Sequence, residues 1–142
     1  MFTSSRACAA KQEGEARALN NIGWCLALLG EHTRALAAGR EALALSERIG
    51  HPHGQAIALD TLGYVEERLG RYPDAVASYR RSAELFGDLG DRYQHAATLI
   101  KLGDAHVATG EASAARDAWQ EALAILTDLD HPDADTVRAK LA

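Results

Sequence analysis

The side chains of this chain that could do chemistry are six histidines, two cysteines and a sparse set of aromatic and amide residues. His51-Pro52-His53 could bring two imidazoles near one point, but a metal site needs three or four such ligands. The segment reads as a solvated turn, and no metal site is expected there. Cys8 and Cys25 lack CxxC spacing and read as free thiols in a reducing compartment. Cys25 lies at helical spacing beside Ile22 and Leu29, which predicts a core position. No G-x-S-x-G, H-E-x-x-H or glycine-rich phosphate loop occurs. No catalytic residue and no cofactor is therefore expected, and the chain does not read as an enzyme. The run Glu66-Glu67-Arg68 reads as a solvated helix face.

The elements that must position these residues are helices. The chain has 142 residues, 47% of them hydrophobic, and 29 are alanine, the best helix former. That length suits one domain with a core of its own. Only 6% of residues are aromatic, so closely stacked short helices are expected rather than one bulky aromatic core. Fifteen basic residues stand against 20 acidic ones, a net charge of −5, which argues against binding nucleic acid or an acidic membrane. No stretch approaches the roughly 18 apolar residues of a membrane span. The start, Met1-Phe-Thr-Ser-Ser-Arg6, lacks the basic and apolar segments of a signal peptide. A cytoplasmic location is expected.

Sliding the chain against itself by 40 residues superposes Ile22-Gly23, Leu62-Gly63 and Leu102-Gly103. Gly30, Gly70 and Gly110 coincide, as do Ala35, Ala75 and Ala115. Ala18-Leu19 falls on Ala58-Leu59 and Thr98-Leu99, and Ala42 on Ser82 and Ala122. Three copies at one period mean an array of stacked units. Each unit reads as two helices. The spacing predicts helices near 15–29 and 32–49, then Gln55–Leu69 and Pro73 towards Leu89, then 94–109 and 112–129. Glycine ends them and proline opens them. The repeats thus span about 15–54, 55–94 and 95–130. Residues 132–142 form a capping helix, and residues 1–13 align with the end of a preceding second-type helix. The mid-helix Gly23, Gly63 and Gly103 predict close helix contact, with Ala35, Ala75 and Ala115 facing them. Tyr79 and Trp119 would fill the gap one turn later. Gly39 holds that position in the first unit, which predicts looser packing there or cover by the N-terminal segment.

The skeleton Leu62-Gly63, Gly70-Arg71-Tyr72, Ala75, Tyr79, Ser82 resembles the tetratricopeptide repeat, whose usual unit is about 34 residues. The third copy carries it as Leu102-Gly103, Gly110, Ala115, Trp119, Ala122. The longer 40-residue unit, with phrases such as Glu15-Ala-Arg-Ala-Leu-Asn-Asn-Ile-Gly-Trp24 and His131-Pro-Asp-Ala-Asp-Thr-Val-Arg-Ala-Lys-Leu141, looks most like the C-terminal repeat region of actinobacterial antibiotic regulatory proteins. Those are transcription activators with DNA-binding and NTPase domains. The resemblance implies an all-α, right-handed α-solenoid of three helix pairs plus a cap, and a fragment of a longer regulator. It carries over no ATP or DNA chemistry, because no such motif is present.

The resemblance also implies an inner surface lined by the first helices, on the residues flanking the Leu-Gly pair. These are Arg17, Asn20, Asn21 and Trp24, then Ile57, Asp60, Thr61, Tyr64 and Glu67, then Ala97, Ile100, Lys101 and Asp104. Trp24 and Tyr64 share one repeat position and are an expected anchor pair, unless they only fill space between neighbouring helices. Asn20 and Asn21 could pair with a peptide backbone. Arg17 and Lys101 are too few to clamp an acidic tail against Asp60, Glu67 and Asp104. The expected partner is therefore a protein or peptide, with a basic or amphipathic segment favoured. The alternative is an intramolecular scaffold or a self-association module acting through the N-terminal face, because uncovered repeat ends expose apolar area.

Overall fold

The computed structural model describes residues 2–142, and side chains from Arg6 onward. Met1, part of the N-terminal remnant expected over residues 1–13, lies outside the described residues. Seven helices follow one another: α1 (Phe2–Leu28), α2 (His32–Arg48), α3 (Pro52–Arg68), α4 (Tyr72–Asp88), α5 (Arg92–Ala108), α6 (Ala112–Asp128) and α7 (Asp133–Leu141). The chain is an all-α solenoid of three helix pairs and a closing helix.

One turn chemistry repeats at every helix end. At Gly70, φ is +75°, a conformation in which a Cβ is strained. The Gly70 N–H donates to the Glu67 carbonyl at 3.0 Å, and the Arg71 N–H donates to the Glu66 carbonyl at 2.8 Å. This pair of bonds satisfies carbonyls that the helix end leaves free. Gly30, Gly50, Gly90 and Gly110 repeat it, and Asp130 takes the same conformation at φ 51°. A turn therefore falls every 20 residues, half the sequence period, and every central helix has 17 residues.

The first helix differs from expectation. Residues 2–13 and 15–29 run together as a single helix of 27 residues. Where the later repeats place Gly50-His51-Pro52 or Gly90-Asp91, this helix has Ala10-Lys11-Gln12. Those three residues are good helix formers and supply no stop signal.

Packing is between sequential neighbours, with an added α1–α3 contact. The main buried cluster joins Ala75, Tyr79 and Ala83 of α4 to Leu99 and Leu102 of α5, then to Leu126 of α6 and Val137 of α7. A second cluster joins Ala35 and Leu36 of α2 to Leu62 and Val65 of α3. The mid-helix glycines are close-approach sites; the expected alanine is nearest at Gly23, but aromatic rings are nearest at Gly63 and Gly103. A Cβ on Gly63 would meet the Tyr79 ring, and one on Gly103 would meet Trp119. Gly23 faces the Ala35 carbonyl oxygen and the Gly39 nitrogen at 3.4 Å. The first unit is not left loose at Gly39, because Leu62 of α3 fills the space: a Cβ there would lie 2.8 Å from Leu62 Cδ2.

Two expectations fail in physically related ways. Cys25 is exposed, as are Ile22 and Leu29, because no helix among the described residues packs over them. Glu66 is buried rather than solvated, and it accepts a hydrogen bond of 2.6 Å from Ser78 Oγ.

Candidate interaction groove

The first-type helices α1, α3, α5 and α7 are tied side by side through residues spaced about one repeat apart. Trp24 of α1 and Tyr64 of α3 touch with ring centroids 5.0 Å apart and planes tilted by 57°. The Arg68 guanidinium sits over the Tyr64 ring, 4.9 Å from its centroid. Lys101 Nζ of α5 donates to Asp60 Oδ2 of α3 at 2.9 Å, and Thr98 Oγ1 donates to the other carboxylate oxygen at 3.4 Å. Lys140 Nζ of α7 donates to Asp104 Oδ1 of α5 at 3.0 Å.

A hollow of about 470 Å³ opens on this side. Its walls are Asn20, Asn21 and Trp24 from α1, His53, Ile57, Asp60 and Thr61 from α3, and Gln94 and Lys101 from α5, with Phe86 and Asp91 beneath. An adjoining hollow of about 430 Å³ lies between α1, the end of α2 and the start of α3, and Arg17 joins it alongside Asn20, Asn21, Ser46, His51 and Gly54. Seven of the thirteen expected inner-surface residues thus meet around one hollow. Arg17 lies next door. Tyr64, Glu67, Ala97, Ile100 and Asp104 line neither, although Tyr64 packs against Trp24. Gln94, Phe86 and Ser46 belong to these walls too. No signal in the repeat pattern marks them, because they stand at different heights in the repeat from the Leu-Gly pair.

Burial sorts these side chains. Trp24 keeps 38% of its surface exposed, whereas Thr61 is 4% exposed and serves as wall rather than as a hydrogen-bonding group. The Asn20 side-chain oxygen is buried without a partner. Glu67 is half-buried. Burial raises its pKa above the usual 4.5, and the Tyr79 hydroxyl beside it partly offsets that rise. Burial likewise pushes the Tyr79 hydroxyl upward, reinforced by the Glu67 charge. The acidic residues are therefore spent on internal partners: Asp60 on Lys101 and Thr98, Asp104 on Lys140, Glu67 on Tyr79. The reasoning that favoured a basic segment loses its free charges, while the amphipathic option keeps its aromatic and amide groups.

His51 and His53 stand with ring centroids 6.2 Å apart, and the second ring meets the edge of Phe86. Among the described residues, no group of three or more His, Cys, Asp or Glu side chains could hold a metal ion. No helix of the described residues is long and apolar enough to cross a membrane.

A stack of helix pairs with an open face of aromatic and amide groups defines a helical-repeat protein. Tetratricopeptide-repeat profiles match residues 54–128 and 16–49, so the chain belongs to the tetratricopeptide repeat family. Among solved structures it is similar to the crystal structure of BtubC (BKLC) from P. vanneervenii, at 19% identity and a TM-score of 0.81 over 89% of this chain. The likeness covers 53% of that chain, so this chain spans about half its length, and at that identity it shows the fold alone. No curated protein matches.

Proposed function

We propose that this chain is a non-catalytic interaction module that seats a segment of a protein partner along the side formed by α1, α3 and α5. The observation that carries the reading is the Trp24–Tyr64 pair, in contact at 5.0 Å with Trp24 still partly exposed at the edge of the hollow. Aromatic groups that are prepositioned and half-wet give large contact area for little ordering. Asn20 and Asn21 stand beside them with amide groups suited to a peptide backbone. With Asp60 and Asp104 already paired, the favoured segment is amphipathic, presenting an apolar side chain to Trp24 and polar groups to the amides. The phrases that resemble actinobacterial antibiotic regulatory proteins favour a role as the cytoplasmic regulatory tail of a larger transcription activator. Partner binding would act there by shifting that protein between two states.

The test is selection of a displayed peptide library on the folded chain, followed by affinity measurement with the Trp24→Ala/Tyr64→Ala double variant. Selected peptides are expected to lose at least about tenfold in affinity, the scale of one anchor residue. Equal affinity for a variant whose helical circular dichroism is unchanged would remove the groove.

A further inference from the structure

We infer that two copies of this chain associate through α1, paired antiparallel about a two-fold axis at Ala18. The inference is independent of the groove. It starts from positions one repeat apart that have unequal surroundings. Leu62 and Leu102 are 5% and 6% exposed, yet Ile22 at the same position is 51% exposed. Val65 and Ala105 are buried, yet Cys25 is exposed; Ala58 and Thr98 are buried, yet Ala18 is exposed. Leu29 is 77% exposed. On α3 this face is covered by Leu36, Gly39 and Leu43 of α2. On α1 it is bare.

The bare face continues past the repeat. Ala7, Lys11 and Gly14 are exposed and continue the line of Ala18, Ile22, Cys25 and Leu29 at three- and four-residue steps. At 3.6 residues per turn these seven positions fall on one narrow stripe, and the buried Ala16, Gly23 and Ala27 fall on the opposite side. The stripe runs for 23 residues, about 35 Å, whereas a 17-residue second-type helix spans about 26 Å and would leave about a quarter of it bare.

A second α1 matches the stripe in length and in shape. Turned antiparallel about Ala18, Leu29 meets Ala7, Ile22 meets Gly14, and Cys25 meets the stem of Lys11. Each large side chain of one copy falls on a small or slender one of the other, and the two alanines at the axis let the backbones approach. Leu28, 61% exposed, falls beside Ala10. The contact is isologous, so it closes at two copies and does not propagate.

Sedimentation of the full chain between about 1 and 500 µM is expected to show a monomer–dimer equilibrium. The Ile22→Glu/Leu29→Glu variant is expected to stay monomeric with unchanged helical circular dichroism, since both positions face water in the single copy. In a Cys8→Ser/Cys25→Ser background, Ala18→Cys is expected to cross-link with a short bifunctional thiol reagent, and Ala37→Cys, exposed on α2, is not. A monomer at every concentration overturns the inference and gives the face to another occupant. So does a dimer that survives the two glutamates, or equal cross-linking at positions 18 and 37.

Discussion

A β-carbon built on Gly63 would stand 2.6 Å from Cε1 of Tyr79, inside the contact distance that real side chains keep. Tyr79 is 1% exposed and cannot swing away. Gly63→Ala would gain about 1 kcal/mol of helix propensity but must displace a buried ring, which typically costs about 1–3 kcal/mol. A net loss of stability is expected in urea denaturation. Gly23→Ala is expected to be neutral or mildly stabilising, because its neighbours stand at 3.4–3.5 Å. Combining Gly63→Ala with Tyr79→Leu should recover part of the loss, giving a coupling energy of about 1 kcal/mol or more. Additive losses would show that the glycine is not there for the ring.

These particulars show what the sequence could reveal. Gly30, Gly70 and Gly110 were legible because a left-handed helix end is local chemistry, set by one residue type at one position. The partner of Gly63 was misread as Ala75 because the choice between two residues one turn apart on α4 depends on how the helices are set, which spacing does not encode. Asp60–Lys101 and Asp104–Lys140 join residues 41 and 36 apart on non-sequential helices. Listing charges by repeat position placed Asp60, Lys101 and Asp104 on one side without pairing them and left Lys140 out, so the side looked more acidic than it is. The exposure of Ile22 and Cys25 was hidden for the opposite reason: their local pattern matches a core helix, and whether a neighbour covers that face is not encoded in the pattern.

His106 occupies the position held by Leu26 and Glu66 in the other repeats. It is 6% exposed, and its Nδ1 has no partner. Burial lowers its pKa from the usual 6.5, the Arg80 charge lowers it further, and Glu111 opposes both. As pH falls below 6.5 the unfolded chain takes up a proton that the native chain resists, so stability drops until the pH passes the lowered native value. Glu66 and Glu67 act in the other sense. Burial raises both above 4.5, so the native chain protonates first on acidification and regains stability. His106→Leu is expected to be more stable in mild acid and to lose less stability between about pH 7 and pH 5.5. Parallel urea midpoints for the two proteins across that window would contradict the assignment.

Lys101 and Lys140 hold the groove's carboxylates in check. Replacing each with glutamine leaves Asp60 and Asp104 unpaired on the same side. Because the pairs are partly exposed, a loss of no more than about 1 kcal/mol each is expected. Uptake of a lysine-rich test peptide should rise at low salt and fall back as salt screens it. Titration calorimetry of both proteins with that peptide checks this. Unchanged uptake would mean that the carboxylates do not face the groove's occupant.

Ser46 marks a flaw in the first repeat that a substitution should mend. The equivalent residues are Phe86 and Leu126, 2% and 1% exposed and central to the clusters between repeats. Ser46 is as buried as they are, at 1%, but its hydroxyl has no partner, and it borders the hollow of about 430 Å³. An unpaired buried hydroxyl costs about 1–3 kcal/mol, and an aliphatic side chain there would add apolar burial. Ser46→Leu is therefore expected to stabilise the chain by about 1 kcal/mol, allowing for repacking against His51. For a protein of this size the melting temperature should rise by about 2–5 °C. The clash risk is specific: Ser46 Oγ lies 2.6 Å from where a Gly54 Cβ would stand, so α3 passes close by. Ser46→Ala separates the two effects, since it removes the unpaired hydroxyl without adding volume. If the alanine variant stabilises and the leucine variant does not, space is limiting. If neither does, the hydroxyl is satisfied in solution and the hollow is hydrated.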